Sequence, residues 1–208
     1  MREHAYEEMT LFGQLGERKY LNAAERRRFI RAARDAEPRV RSFCLTLGWS
    51  GGRISEILAL TAAALDVESG VANIQTLKRR KRGIVRQVPL PCDILRELNR
   101  VFHLRRRQRD PYLASERLWT WSRTTAWRRV KEVMAAAGVA GAAATPKGLR
   151  HAFGVNAFQA RVPPHLVQRW LGHASLRTTS IYGDVMGPEE RALAARMWLL
   201  ASPRTWRE

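Results

Sequence analysis

Apolar residues recur along this chain at helical spacing, then briefly at strand spacing, then at helical spacing again. The series begins at Asn22-Ala-Ala-Glu25, where an asparagine and a glutamate three residues on can satisfy each other's orphan amides, and predicts a helix through about Ala33. Residues 1–20 read as a loose lead-in. After Pro38, the residues Val40, Phe43, Leu45 and Leu47 predict a second helix towards Gly48, and a third starts near Arg53 and runs through Ile54, Ile57, Leu58 and Leu60. Past Asp66 the period falls to two. The stretches from Val71 to Leu77 and from Ile84 to Leu90 flank the basic run Lys78 to Arg82 and Gly83, which predicts a β-hairpin with a basic tip. Helical spacing returns from Asp93 to Leu104, from Ser122 to Ala137 with Gly138 as its stop, and in three pieces near 146–160, 164–171 and 175–183. A last helix spans Pro188 to about Leu200. The charged stretch 105–117 and the Gly/Ala-rich stretch 138–145 read as loops, and no internal repeat is seen. The expectation is an α+β, mainly helical domain over residues 21–200 with a small antiparallel sheet, and a tail at 201–208.

Charge changes the picture. The chain has 208 residues, 37 Lys and Arg against 19 Asp and Glu, and a formal charge of +18, which points to a polyanionic partner. At 45% hydrophobic residues it can still build a core, which excludes a disordered basic tail. Cys44 and Cys92, both in apolar sequence and without Cys-x-x-Cys spacing, supply neither a disulfide framework nor a cysteine zinc site. The polar, acidic N-terminus and the lack of an 18-residue apolar run set secretion and membrane spanning aside, so the cytoplasm is the expected compartment.

Five polar motifs then stand in order: Arg53 in Gly-Gly-Arg-Ile-Ser-Glu, Lys78 in Thr-Leu-Lys, Lys147-Gly-Leu-Arg150-His151, Leu171-Gly-His173, and Tyr182 in Thr-Thr-Ser-Ile-Tyr-Gly. Together they resemble the catalytic domain of the tyrosine recombinase, or phage-integrase, family, over roughly residues 20–200. Lys147 stands where that family more often has His. The resemblance implies the tyrosine-recombinase catalytic fold and cleavage of duplex DNA by Tyr182. The products would be a 3′-phosphotyrosyl bond and a free 5′-hydroxyl, with no ATP, metal or other cofactor. It implies His151 as a supporting residue, nucleoid-associated action in the cytoplasm, and a DNA-bound tetramer linked through the C-terminal helix at 188–200. It also points to an accessory DNA-binding protein as a further partner. Family members commonly carry an N-terminal core-binding domain, and with only about 20 residues ahead of the first helix the expectation here is a stand-alone catalytic domain.

The chemistry agrees with those residue types. Displacement at phosphorus puts negative charge on non-bridging oxygens, which two guanidiniums, Arg53 and Arg150, can clamp. A phenol must lose its proton as it attacks and the departing oxygen must gain one. Lys78 is the expected general acid, with Lys81 its rival because the hairpin's length is open. Lys147 and Arg150, three apart on a helix, can face one phosphate, and His173, just past a helix stop at Gly172, can bond the phosphate or manage the nucleophile's proton.

Each residue also has a plainer reading. Arg53 fits a surface arginine at a helix start, Lys78 is one of several basic residues at a hairpin tip, and Tyr182 fits a ring in the core with its hydroxyl at the rim. His165 and His173 lack a third ligand at metal spacing. Trp119, Trp121, Trp127 and Trp170 read as core or interface packing rather than base-stacking platforms. Gly51-Gly52 lacks the pattern of a nucleotide-binding loop. The basic segments, including Arg79, Arg80, Lys81, Arg82, Arg105 to Arg109, Arg123 and Arg128, are assigned to the phosphate backbone. The alternatives to a recombinase are a non-catalytic or partner-dependent DNA-binding protein derived from an integrase, and a type IB topoisomerase-like enzyme.

Overall fold

The computed structural model describes residues 10–77, 83–184 and 188–201, with side chains of the last helix described from 190 to 197. Helix α1 (Ala23–Asp35) begins at the Asn22 cap, whose side chain accepts from Glu25 N–H while Glu25 accepts from Asn22 N–H, and buries Phe29 and Ala33. Helix α2 (Pro38–Ser50) starts on a proline behind a Glu37 cap and stops at Gly51, which is left-handed. Helix α3 (Ile54–Leu58) ends two residues short of the expected Leu60, because the chain turns there into a 3₁₀ turn (Ala62–Ala64) that leads to the sheet.

The sheet has the order β1 (Leu65–Asp66), β2 (Val71–Gln75), β3 (Val85–Pro89), all antiparallel. Ala72 pairs with Val88 and Ile74 with Arg86, so the inward face of β2 and β3 carries three apolar side chains and one arginine. The basic tip, with Lys78, Arg79, Arg80, Lys81 and Arg82, lies outside the described residues.

Helix α4 (Cys92–Phe102) packs on α2 and buries Ile94, Leu95 and Leu98 in the core that the sheet shares. Cys92, expected in apolar surroundings, is exposed, because it is the first residue of that helix and lies off its buried stripe; Cys44 is buried, and burial raises its thiol to about 12. The stretch read as one charged loop instead holds α5 (Leu104–Arg107) and α6 (Pro111–Ser115). Buried Leu104 anchors the first, and an Asp110 cap followed by Pro111 starts the second. Helix α7 (Arg123–Ala136) is capped by Ser122, and the chain then reverses at Gly138. Helices α8 (Pro146–Gln159), α9 (Pro164–Leu171) and α10 (Arg177–Ser180) follow, then a 3₁₀ turn (Ile181–Gly183) and α11 (Pro188–Ala201).

Two apolar clusters hold these elements. The larger joins α1, α2, the sheet, α4 and α7 around Phe43 and Trp119, whose rings meet edge to face at 5.2 Å. The smaller contains Leu11, Tyr20, Phe153, Val167, Leu171 and Tyr182. Helix α8 is the seam, giving Leu149 and Ala152 to the first and Phe153, Val155 and Ala157 to the second. Residues 10–20 are therefore not loose. Leu11 and Tyr20 are buried, and Arg18 makes a two-pronged ion pair with Glu25 at 2.5 and 2.9 Å. Among the described residues no helix is long and apolar enough to cross a membrane.

Candidate active site

One cleft of about 590 Å³ is lined by Arg53, Glu56, Lys147, Arg150, His151 and His173, with Leu77, Arg123 and Trp127 along its rim. It forms where three helix starts and one helix stop converge. Arg53 is the residue before α3, and its backbone N–H and guanidinium both bond the Glu56 carboxylate, at 2.9 and 2.8 Å. An arginine has no acceptor, so only this half of a capping box can form. Thr145 caps α8 by accepting from Gly148 N–H, which sets Lys147, Arg150 and His151 on the first turns facing the cleft. Lys147 is exposed, whereas Arg150 and His151 are buried.

Arg150 is fixed by backbone. Nη1 donates to Gly51 O and Nη2 to Leu171 O, each at 2.7 Å. Burial, then the neighbouring Arg53, lowers its guanidinium to about 10, so it stays charged at neutral pH. Gly172, at φ +66°, ends α9 and turns His173 into the cleft wall, as the Leu-Gly-His spacing predicts. His173 Nδ1 lies 2.9 Å from Thr179 Oγ1. Burial, then Arg150 and Arg53, pushes His173 down to about 3, and burial, then Lys147 and Arg150, does the same to His151. Both rings are neutral at physiological pH.

Tyr182 is completely buried, and it does not line the cleft. The plainer reading of Tyr182, a core ring with its hydroxyl at the rim, holds for the ring and not for the hydroxyl, for which three neighbours account. Gly154 leaves room for the ring to lie against α8, His173 stacks beside it with an interplanar angle of 17°, and His151 Nδ1 meets the hydroxyl at 3.3 Å. Burial raises the phenol to about 12, against the pull of Arg150 and Arg53. His151, read from the sequence as supporting, is thus the ring in contact with the hydroxyl.

Of the six residues singled out as catalytic, the structure brings Arg53, Lys147, Arg150 and His173 to one cleft, sets Tyr182 directly behind it, and leaves Lys78 outside the described residues. Arg123 lines the cleft; Arg128 is exposed on the same helix but does not. Trp119 is core, but Trp127, also expected to be packed, is 43% exposed at the rim, where it sits on the flank of the stripe that α7 buries through Ala126, Val130 and Val133.

Glu56 was not anticipated. It is fully buried and, although burial pushes its carboxyl up, Arg86 and Arg53 hold it below the usual range. Its signal in the sequence is the Arg-x-x-Glu spacing at a helix start. Among the described residues no group of three or more His, Cys, Asp or Glu side chains is placed to hold a metal ion.

Comparison with known proteins supplies the lineage. The family model described as "Phage integrase family" matches residues 19–187. The tyrosine recombinase XerA of Pyrococcus furiosus is 33% identical over 187 residues, covering 88% of this chain and 63% of that protein. XerD of Haemophilus ducreyi is 30% identical over 65% of this chain and 46% of its own length. The chain therefore spans about half to two thirds of the curated relatives it matches. Among solved structures, a XerA recombinase superposes with a TM-score of 0.70 at 25% identity, over 89% of this chain and 65% of that one. A XerH site-specific recombinase bound to its difH substrate gives 0.68 at 21% identity, over 93% of this chain and 61% of that one. A match spanning most of the chain, on a fold shared with these recombinases, leaves one conclusion: the chain is a member of the phage integrase family.

Proposed function

We propose that this chain cleaves and rejoins duplex DNA at specific sites through a phosphotyrosyl intermediate. The observation that carries the reading is the meeting of Arg53 and Arg150 in one cleft with Lys147 and His173, with the Tyr182 hydroxyl immediately behind it. Two guanidiniums at a buried site match the charge that develops on a phosphate under attack. Tyr182 Oη forms the new bond to phosphorus while the bond to the 5′ oxygen breaks. The phenolic proton passes to its ring partner, for which His151 Nδ1 is the nearest acceptor, and Lys78 gives the leaving oxygen its proton, with Lys81 as the rival donor. Attack by a 5′-hydroxyl on the phosphotyrosine reverses the step and rejoins a strand, so no nucleotide or metal is consumed.

Burial of Tyr182 adds a requirement. The hydroxyl must leave its pocket behind His151 before it can line up opposite the leaving oxygen. That favours a second, related reading, in which the chain binds DNA but cuts only when a partner or a second copy draws the tyrosine out. Double-stranded DNA is the proposed partner, with Arg123, Arg128 and the basic hairpin tip on its backbone. Assembly as a tetramer through α11, help from an accessory DNA-binding protein, and action at the nucleoid belong to the same proposal.

The test is covalent trapping. The protein is incubated in EDTA with fragmented genomic DNA of its source, quenched with SDS, and compared with Tyr182→Phe. An SDS-stable adduct on Tyr182 that the variant lacks is expected. Salt-sensitive binding without an adduct would replace catalysis by the binding reading, and relaxation of supercoiled plasmid without strand exchange would favour the topoisomerase-like one.

A further inference from the structure

A buried arginine beside the cleft has no part in that mechanism. Arg86 sits on the inward face of β3, its side chain 4% exposed, at a position where strand alternation otherwise places Val88. Each nitrogen of its guanidinium goes to a different element. Nη2 donates to Glu56 Oε2 at 2.6 Å, Nη1 to Thr76 Oγ1 at 3.0 Å, and Nε to Trp170 O at 2.7 Å. The turn at Gly172 packs on the same group, since a Cβ there would lie 3.2 Å from Arg86 Cδ, Nε and Nη1.

The three acceptors are the supports of the cleft. Glu56 holds both the backbone and the guanidinium of Arg53. Thr76 closes the last described rung of the hairpin, its N–H on Ile84 O at 2.9 Å, two residues before Lys78. Trp170 precedes Leu171, whose carbonyl takes Arg150 Nη2, and Gly172 precedes His173. Arg86 itself lines a neighbouring recess with His173, not the cleft of Arg53 and Arg150.

From this arrangement we infer that Arg86 is a positioning residue, which locks the hairpin, the Arg53 turn and the Leu-Gly-His turn in a single register around the scissile phosphate. The inference rests on the strand-cleavage reading above. A role as mere counter-charge for Glu56 would need one cation and one contact. Three acceptors on three elements need the planar fork, which a lysine ammonium cannot reproduce in those directions.

The experiment compares the parent with Arg86→Lys, which keeps the charge, and with Arg86→Gln. Each is assayed for duplex affinity, for the single-turnover rate of SDS-stable adduct formation on DNA that the parent cuts, and for amide hydrogen exchange. Arg86→Lys is expected to fold, to bind duplex within about threefold of the parent, and to form adduct roughly 10²-fold more slowly. Its amides at Thr76 and His173 are expected to exchange faster together while α1 stays protected. A parental adduct rate in Arg86→Lys overturns the inference, as does a loss confined to DNA affinity. If Arg86→Gln unfolds, Arg86→Lys still decides. If the parent forms no adduct, the cleavage reading falls, and the exchange data judge the positioning claim alone: unchanged exchange at both amides overturns it.

Discussion

Gly154 lies flat against the ring of Tyr182, so close that a Cβ there would sit 2.5 Å from the ring carbons. In an unobstructed helix interior Gly→Ala gains about 1 kcal/mol from propensity. Here the added methyl meets a ring that is itself walled in by His151, His173 and Phe158. Overpacking of this kind costs about 1–3 kcal/mol. Gly154→Ala is therefore expected to lower the urea midpoint, and a variant more stable than the parent would show that the ring is free to move aside.

The two neutral histidines make acid a denaturant of this site. His151 and His173 fall from 6.5 to about 3 in the folded chain, so the unfolded state binds protons that the native state refuses. Their contribution to stability is complete above pH 6.5 and is lost as pH falls from there towards 3. The slope is about 1.4 kcal/mol per pH unit for each, so about 2 kcal/mol per histidine is gone by pH 5. Urea unfolding at pH 7.5 and pH 5 measures it, and His151→Gln is expected to remove about half of the difference. Equal slopes in parent and variant would mean that the ring titrates normally.

Arg150 and Arg53 respond differently to lysine. Arg150→Lys leaves at least one of the carbonyls of Gly51 and Leu171 without its donor in a buried place, which costs about 1–3 kcal/mol. Arg53, 27% exposed and held on one carboxylate, tolerates Arg53→Lys at a cost below about 1 kcal/mol. Both changes are expected to cut adduct formation by about 10²-fold or more, because both lose the fork on the phosphate. Thermal melts and trapping on the same preparations separate the two effects. A cost to stability from Arg53→Lys as large as that from Arg150→Lys contradicts this assignment.

Duplex affinity should fall steeply with salt. Arg123 lines the cleft and Arg128 is exposed on the same helix. If each neutralises one phosphate, Arg123→Gln lowers the slope of log affinity against log salt by about 1. Titration of a labelled duplex at several salt concentrations gives the number directly, and an unchanged slope removes Arg123 from the interface.

Much of this architecture was legible in the residues. The Asn22 capping box, the stops at Gly138 and Gly172 and the hairpin all follow from local rules that depend on a few neighbouring side chains. What local rules cannot carry is depth. Arg86 reads as an ordinary polar residue of a strand until Glu56, thirty positions away, supplies its partner. Cys92 and Trp127 show the reverse error: the first stands off the buried stripe of its helix, and the second lies on the margin of its own, beside the cleft. The short helices in the charged stretch were announced by Asp110-Pro111, but a run of arginines masks a single buried leucine at 104. The placement of Tyr182 depends on a missing side chain at Gly154, which no periodicity reports.

The two bonds that anchor Arg150 run to neutral carbonyls, and that choice of partner has a cost and a use. Carbonyls fix its direction without cancelling its charge, and Glu56 is already shared between Arg53 and Arg86. The cleft thus carries like charges that repel one another, and a phosphate or phosphodiester bound between them relieves that repulsion. The protein should accordingly melt at a higher temperature in phosphate than in chloride of equal ionic strength, and higher still on DNA.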